Sequence, residues 1–193
     1  MSIARLRTFV GEMTDLVESG LHEAQMFEQV QPRLRVLLEH DDWLPDAFAV
    51  PHPDYYQQYL LHCDPKERFS IVSFVWGPGQ KTPVHDHTVW GLIGMLRGAE
   101  TGTRFDGGAP GEPLREGSTE RLDVGDIDLV SPRVGDVHQV RNAYDDRTSI
   151  SIHVYGANIG AVHRHVLDPL TGAAKDFVSG FSSPVVPNLW SLA

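Results

Sequence analysis

The sequence predicts a mainly β protein in which a small barrel follows N-terminal α-helices packed outside it. Two observations predict this. Apolar residues recur at helical spacing through the first 45 residues, and short β-rich runs separated by turn signals take over from about Tyr55. Strands so spaced, with no helix between them, point to an all-β sandwich or barrel rather than to βαβ units.

In the helical part, Ile3, Leu6, Phe9, Val10 and Met13 share one face, with Leu16 and Val17 a turn further on. A second helix is expected from about Leu21 to His40 through Val30, Leu34, Val36 and Leu37, with Pro32 as a break or a first-turn residue. Pro45, Pro51 and Pro53 mark an irregular exit. The β runs are YYQQYLLH, FSIVSFVW, VWGLIGMLRG, RLDVGDIDLV, GDVHQVRN and TSISIHVYG. Gly77-Pro78-Gly79, Gly107-Gly108, Gly111 and Pro132 separate them. The tail from Thr171 is rich in Gly, Ser and Pro and is expected to wrap the surface as loop. The expected organisation is one domain over residues 1–193, with helices at 1–45, the barrel at 55–165 and a C-terminal extension at 166–193.

Composition narrows the function classes. With 41% apolar residues in 193 the chain has ample material for a core, and no apolar run approaches the ~18 residues of a membrane span. The N-terminus lacks an apolar stretch of the secretory kind. The one cysteine, Cys63, forbids an internal disulfide and fits a reducing cytoplasm. A formal charge of −10 and acidic helices argue against a nucleic-acid partner, which would need clustered Lys and Arg.

The chemistry lies in the histidines. His85 and His87, read as i and i+2 on a strand, point to one face, and His138 from a distant strand completes a triangle around one divalent metal. An isolated His-x-His usually means nothing, but the glycine frame here is specific. Gly79-x5-His85-x-His87-x3-Gly91-x6-Gly98 and Gly125-x6-Pro132-x2-Gly135-x2-His138-x3-Asn142 resemble the two motifs of the cupin superfamily, with Gly91 where a glutamate usually stands. The resemblance implies a double-stranded β-helix, or jelly-roll-like barrel. Asp86 should face away from the metal. Imidazoles suit Zn, Cu, Fe and Ni, so the ligands alone do not choose among them. A neutral three-ligand set leaves open positions and favours an anionic ligand.

A second constellation follows. Ser151, His153 and Tyr155 alternate along TSISIHVYG and share a face, as an ordinary solvent-facing polar stripe or as a relay. Ser-x-His-x-Tyr after the third metal histidine resembles the triad of the cysteine dioxygenase-type thiol dioxygenases, in which serine orients histidine and histidine holds the tyrosine hydroxyl toward the substrate. In mammalian members a cysteine near the Gly91 position is joined to the tyrosine by a thioether. This chain has glycine there, so Tyr155 is expected to carry no cross-link. The mammalian Tyr-x-Arg that holds the substrate carboxylate is Tyr56-Gln57-Gln58 here, while Arg164 stands nine residues after Tyr155. Both features resemble the bacterial 3-mercaptopropionate dioxygenases, whose arginine at that place anchors the carboxylate.

A guanidinium can take a carboxylate with two parallel hydrogen bonds, whereas Gln58 offers only neutral ones. A surface ion pair with Asp168 is the other reading of Arg164. His163 and His165 have no glycine frame and read as surface or packing residues; Trp76 and Trp90 read as core or pocket wall. The expected function is dioxygenation of a small thiol carboxylate to its sulfinate with O2. One Fe(II) per chain would be held by His85, His87 and His138, with Ser151, His153 and Tyr155 catalytic and Arg164, Gln58 and Tyr155 on the substrate. 3-Mercaptopropionate is favoured over L-cysteine and over mercaptosuccinate, which needs a second cation. A non-catalytic metal-binding sensor is the reading from another class. A monomer or weak homo-oligomer is expected.

Overall fold

The computed structural model describes residues 2–107 and 111–183, so the expected turn at Gly108 and the last ten residues of the C-terminal extension lie outside the described residues. Helices α1 (Ala4–Glu18) and α2 (Glu23–Leu38) come first. His22 caps α2: its Nδ1 accepts from the Gln25 N–H, and the Gln25 side chain accepts from the His22 N–H. Pro32 sits inside α2, neither breaking it nor opening it as expected.

Among the described residues eleven strands follow: β1 (Gln57–Cys63), β2 (Ser70–Trp76), β3 (Val84–His85), β4 (Gly91–Arg97), β5 (Ala99–Asp106), β6 (Arg115–Asp123), β7 (Ile127–Val130), β8 (His138–Asn142), β9 (Ser149–Tyr155), β10 (Arg164–Leu167) and β11 (Ala174–Phe177). They form two antiparallel sheets, ordered β1-β2-β9-β4-β7 and β11-β10-β3-β8-β5-β6. This is a mainly β, jelly-roll-like barrel with the helices outside it, as expected.

Three runs differ from the sequence reading. RLDVGDIDLV is the end of β6, a turn and β7 rather than one strand. Strand β5 and most of β6 carry no sequence signal, because Glu, Thr, Gly and Arg fill this half-exposed hairpin and leave no apolar alternation. The tail expected to be loop carries β11, paired with β10.

The five-stranded sheet is buried on both faces. On β9, Ile150, Ile152 and Val154 face the helices and pack with Phe9, Val30 and Leu34. The alternate residues, ending in Tyr155, face the barrel interior with Val72, Phe74, Trp76 and Ile93. All seven residues of β9 are buried, so its polar stripe points inward rather than to solvent.

Helix α2 docks where β4 has no side chain. A Cβ at Gly94 would lie 2.6 Å from Leu38 Cδ1 and 3.2 Å from Leu34 Cδ2. We expect Gly94→Val to cost about 1–3 kcal/mol by overpacking, measured by denaturant unfolding. An unchanged midpoint would contradict this docking.

Candidate metal centre

His85 ends β3 and lies directly opposite His138, the first residue of β8. His87 is not on a strand, contrary to the i, i+2 reading: β3 stops at His85, and His87 lies in the loop that follows. Asp136 places it instead. One carboxylate oxygen, Oδ1, accepts the His87 backbone N–H and lies 3.0 Å from His87 Nδ1, while Oδ2 accepts the Thr88 N–H at 2.8 Å. Thr88 adopts a positive φ of 60° at this turn. Sequence reasoning misses Asp136, whose only signal is a place two residues before His138.

Among the described residues, His85, His87 and His138 are the group able to hold a metal, with one donor atom from each lying within 4.8 Å of the others. The ring centroids are 4.9 Å apart in all three pairs. Pro83 O lies 3.1 Å from His85 Nδ1 and Asp136 from His87 Nδ1, which makes each Nδ1 a donor and leaves Nε2 with its lone pair. Burial holds the rings neutral. It lowers His85 to about 3, with His87 and Arg164 adding to the fall. His138 is pushed well below the usual range by burial and by the other two histidines. Burial likewise lowers His87, against the pull of Asp136. Three neutral imidazoles, two of them oriented through Nδ1, fit a divalent transition metal.

Asp86 faces away from the triangle, as expected, and accepts from the His165 N–H at 2.7 Å with His165 Nδ1 equally close. This clamp ties the metal loop to β10, where Arg164 begins. His163 is exposed, and neither His163 nor His165 approaches the triangle.

Arg164 is 3% exposed and does not pair with Asp168, whose carboxylate instead accepts from the Leu170 N–H. Its guanidinium lies 4.6 Å over the Phe177 ring and donates from Nη2 to Ser179 Oγ, while Nε has no partner among the described residues. Burial lowers its pKa from the usual arginine value. A cavity of about 250 Å³ brings Arg164, Gln58 and His85 together with Tyr56, Phe74, Lys175 and others. Phe177, Ser179 and Lys175 all come from the tail read as loop.

The polar stripe of β9 forms a chain. Ser151 Oγ is 2.8 Å from His153 Nε2, and His153 Nδ1 is 2.8 Å from Tyr155 Oη. Phe74 stacks on His153 at 3.9 Å, and Tyr155 stacks on the His87 ring at 5.4 Å. Trp76, read as core or wall, is buried and also donates from Nε1 to Ser151 Oγ at 3.3 Å. Trp90 meets Phe27 edge-on. Burial pushes Tyr155 up, so its hydroxyl stays protonated.

Gly91 stands opposite Tyr155 in register, and a Cβ there would lie 2.7 Å from Tyr155 Cδ1. Cys63, the one cysteine, ends β1 and has its thiol pushed up to about 12 by burial and by Glu67 and Asp64.

A family model described as cysteine dioxygenase type I matches residues 7–166. The chain belongs to this family. Membership and the three-histidine group together make it a metal-dependent thiol dioxygenase at the level of class. The matched span ends on β10, before β11. Similar solved structures include a double-stranded β-helix protein from Klebsiella pneumoniae, at 19% identity over 63% of this chain and 95% of that one, TM-score 0.45. They also include TT1209 from Thermus thermophilus, at 21% over 58% and 92%, TM-score 0.44. A cupin superfamily protein from Desulfitobacterium hafniense matches at 15% over 62% and 94%, TM-score 0.45. No helix among the described residues is long and apolar enough to cross a membrane.

Asp136→Ala should loosen His87 and weaken metal binding about 10–100-fold, as read by competition titration with a chromophoric chelator. Unchanged affinity would show that Asp136 does not orient the ligand.

Proposed function

We propose that this protein converts 3-mercaptopropionate and O2 to 3-sulfinopropionate, using one Fe(II) per chain held by His85, His87 and His138. The observation that carries this reading is that His85, one of the three neutral histidines, and the buried, under-bonded Arg164 line one small cavity. A cation in neutral ligands at one end and a guanidinium at the other suit a short molecule that is anionic at both ends. Fe(II) bound there would favour the thiolate and supply the redox chemistry with dioxygen. The reaction balances as RSH + O2 → RSO2H, with both oxygen atoms ending on sulfur.

The protein positions and polarises. Arg164 takes the carboxylate with two parallel hydrogen bonds, its plane held by Phe177 and one donor tethered to Ser179. Gln58 on the same cavity adds a neutral contact. Tyr155, held by His153 and Ser151, offers its hydroxyl proton toward the reacting sulfur. With Gly91 opposite, Tyr155 acts without a thioether.

The cavity lining disfavours L-cysteine. Among the described residues it has no carboxylate to meet an α-ammonium, and Arg164 and Lys175 would repel one. Lys175 favours a second reading, mercaptosuccinate, whose extra carboxylate it could hold. A mere sensor would have no use for the buried Ser151–His153–Tyr155 chain.

Dioxygen uptake by Fe(II)-loaded protein, with sulfinate identified by mass, tests this. We expect kcat/KM for 3-mercaptopropionate to exceed that for L-cysteine by about tenfold or more, and Arg164→Ala to lower it by a further 100-fold or so through one lost charge-assisted pair. Lys175→Ala should weaken only mercaptosuccinate. Preference for cysteine would overturn the anchor, and no uptake with any thiol would overturn the activity.

A further inference from the structure

One buried carboxyl has no part in the reading above. Glu100, the second residue of β5, is 1% exposed, and its Oε1 has no hydrogen-bond partner among the described residues. The corner after β4 puts it there. Gly98 turns with a φ of +74°, and a Cβ on it would collide with Ser149. Ser149 Oγ accepts the Ala99 N–H at 3.1 Å, which brings the start of β5 against β9. Glu100 then has Ser151 and the Trp76 indole as its polar neighbours. It stands at the end of the Ser151–His153–Tyr155 chain opposite the tyrosine.

Donor counting makes this position consequential. The Trp76 indole only donates, so Ser151 Oγ accepts from it and keeps a single proton to give. When Glu100 is a carboxylic acid it donates to Ser151, and Ser151 donates to His153 Nε2. The imidazole proton then sits on Nδ1 and is donated to Tyr155 Oη, leaving the tyrosine proton free for the metal cavity. When Glu100 is ionised, it takes the Ser151 proton. His153 must then protonate Nε2 to donate to Ser151, and its bare Nδ1 accepts the tyrosine proton, turning that proton away from the cavity.

We propose that Glu100 is a positioning residue whose proton sets the direction of the chain, so that Tyr155 donates into the metal cavity only while Glu100 is an acid. Its effect on turnover rests on the thiol dioxygenase reading; the direction of the chain does not.

Burial supports the acid form at neutral pH. It raises Glu100 to about 8 against the opposing influence of nearby Ser151 and Trp76, with Asp128 adding to the rise. Asp128 is itself paired with Arg104 at 2.6 Å. The residues opposite Glu100 in register, Asn142 on β8 and Leu122 on β6, do not titrate. His153 is held well below the usual range, mainly by burial, so both states concern a neutral ring.

The test is the tautomer of His153, read from imidazole ¹⁵N shifts in full-length protein, metal-free and loaded with diamagnetic Zn(II), from about pH 6 to about 9.5. The His153→Gln spectrum supplies the assignment. We expect the Nδ1–H form at low pH, changing to Nε2–H around pH 8. Glu100→Gln, with its carbonyl toward Trp76 and its amide N–H toward Ser151, should hold the Nδ1–H form throughout. Ser151→Ala, in which Glu100 is retained, should uncouple His153 from pH.

A wild-type tautomer unchanged over this range, or a Glu100→Gln protein that still switches, would overturn the proposal. Sulfinate formation measured in parallel should lose its alkaline limb in Glu100→Gln. A tautomer switch in protein that makes no sulfinate at any pH would uphold the role of Glu100 and sink the thiol dioxygenase reading.

Discussion

The constraint on which this structure depends is the burial of neutral imidazoles inside a barrel walled by apolar side chains. His85, His87, His138 and His153 are all buried and all held below the usual histidine range. A neutral ring has one proton for two nitrogens, so a fixed partner on one nitrogen decides what the other offers. Pro83 and Asp136 do this for two members of the triangle, and Ser151 with Tyr155 does it for His153. In this low-dielectric interior each such bond counts for more than it would in water, and an unpartnered polar atom costs more. Arg164 Nε and Glu100 Oε1 are two such atoms, and both lie beside the machinery.

The two ends of the cavity are mechanically joined. Asp86 lies between two metal-site histidines in sequence and reaches outward to hold His165, the neighbour of Arg164. β10 in turn pairs with β3 on one side and β11 on the other. The distance from the histidine triangle to the guanidinium is thereby set by rigid strand pairing rather than by a free loop. Under the proposed function, such a fixed span would select substrates by the length between sulfur and carboxylate.

Much of this is legible in the sequence because it rests on short-range periodicity. Alternation along β9 puts Ser151, His153 and Tyr155 on one face, and glycine spacing alone frames His85, His87 and His138. What the sequence hides depends on contacts distant along the chain. His87 owes its place to Asp136, 49 residues away, not to strand alternation. Glu100 looks like one more charge in an exposed hairpin until the corner at Gly98 turns it inward. β11 is polar and short, and only its pairing with β10 makes it a strand. That pairing brings Phe177 and Lys175 to a cavity for which sequence motifs point to His85, Tyr56, Gln58 and Arg164.

The proposed reaction delivers both atoms of dioxygen to a sulfur fixed between the histidine triangle and Arg164. The most direct measurement is a turnover of 3-mercaptopropionate by Fe(II)-loaded protein under ¹⁸O2 in ordinary water, with the product analysed by mass. A sulfinate carrying ¹⁸O at both oxygen positions is the expected product. A sulfinate with one oxygen from water, or a disulfide as the sole product, would contradict it.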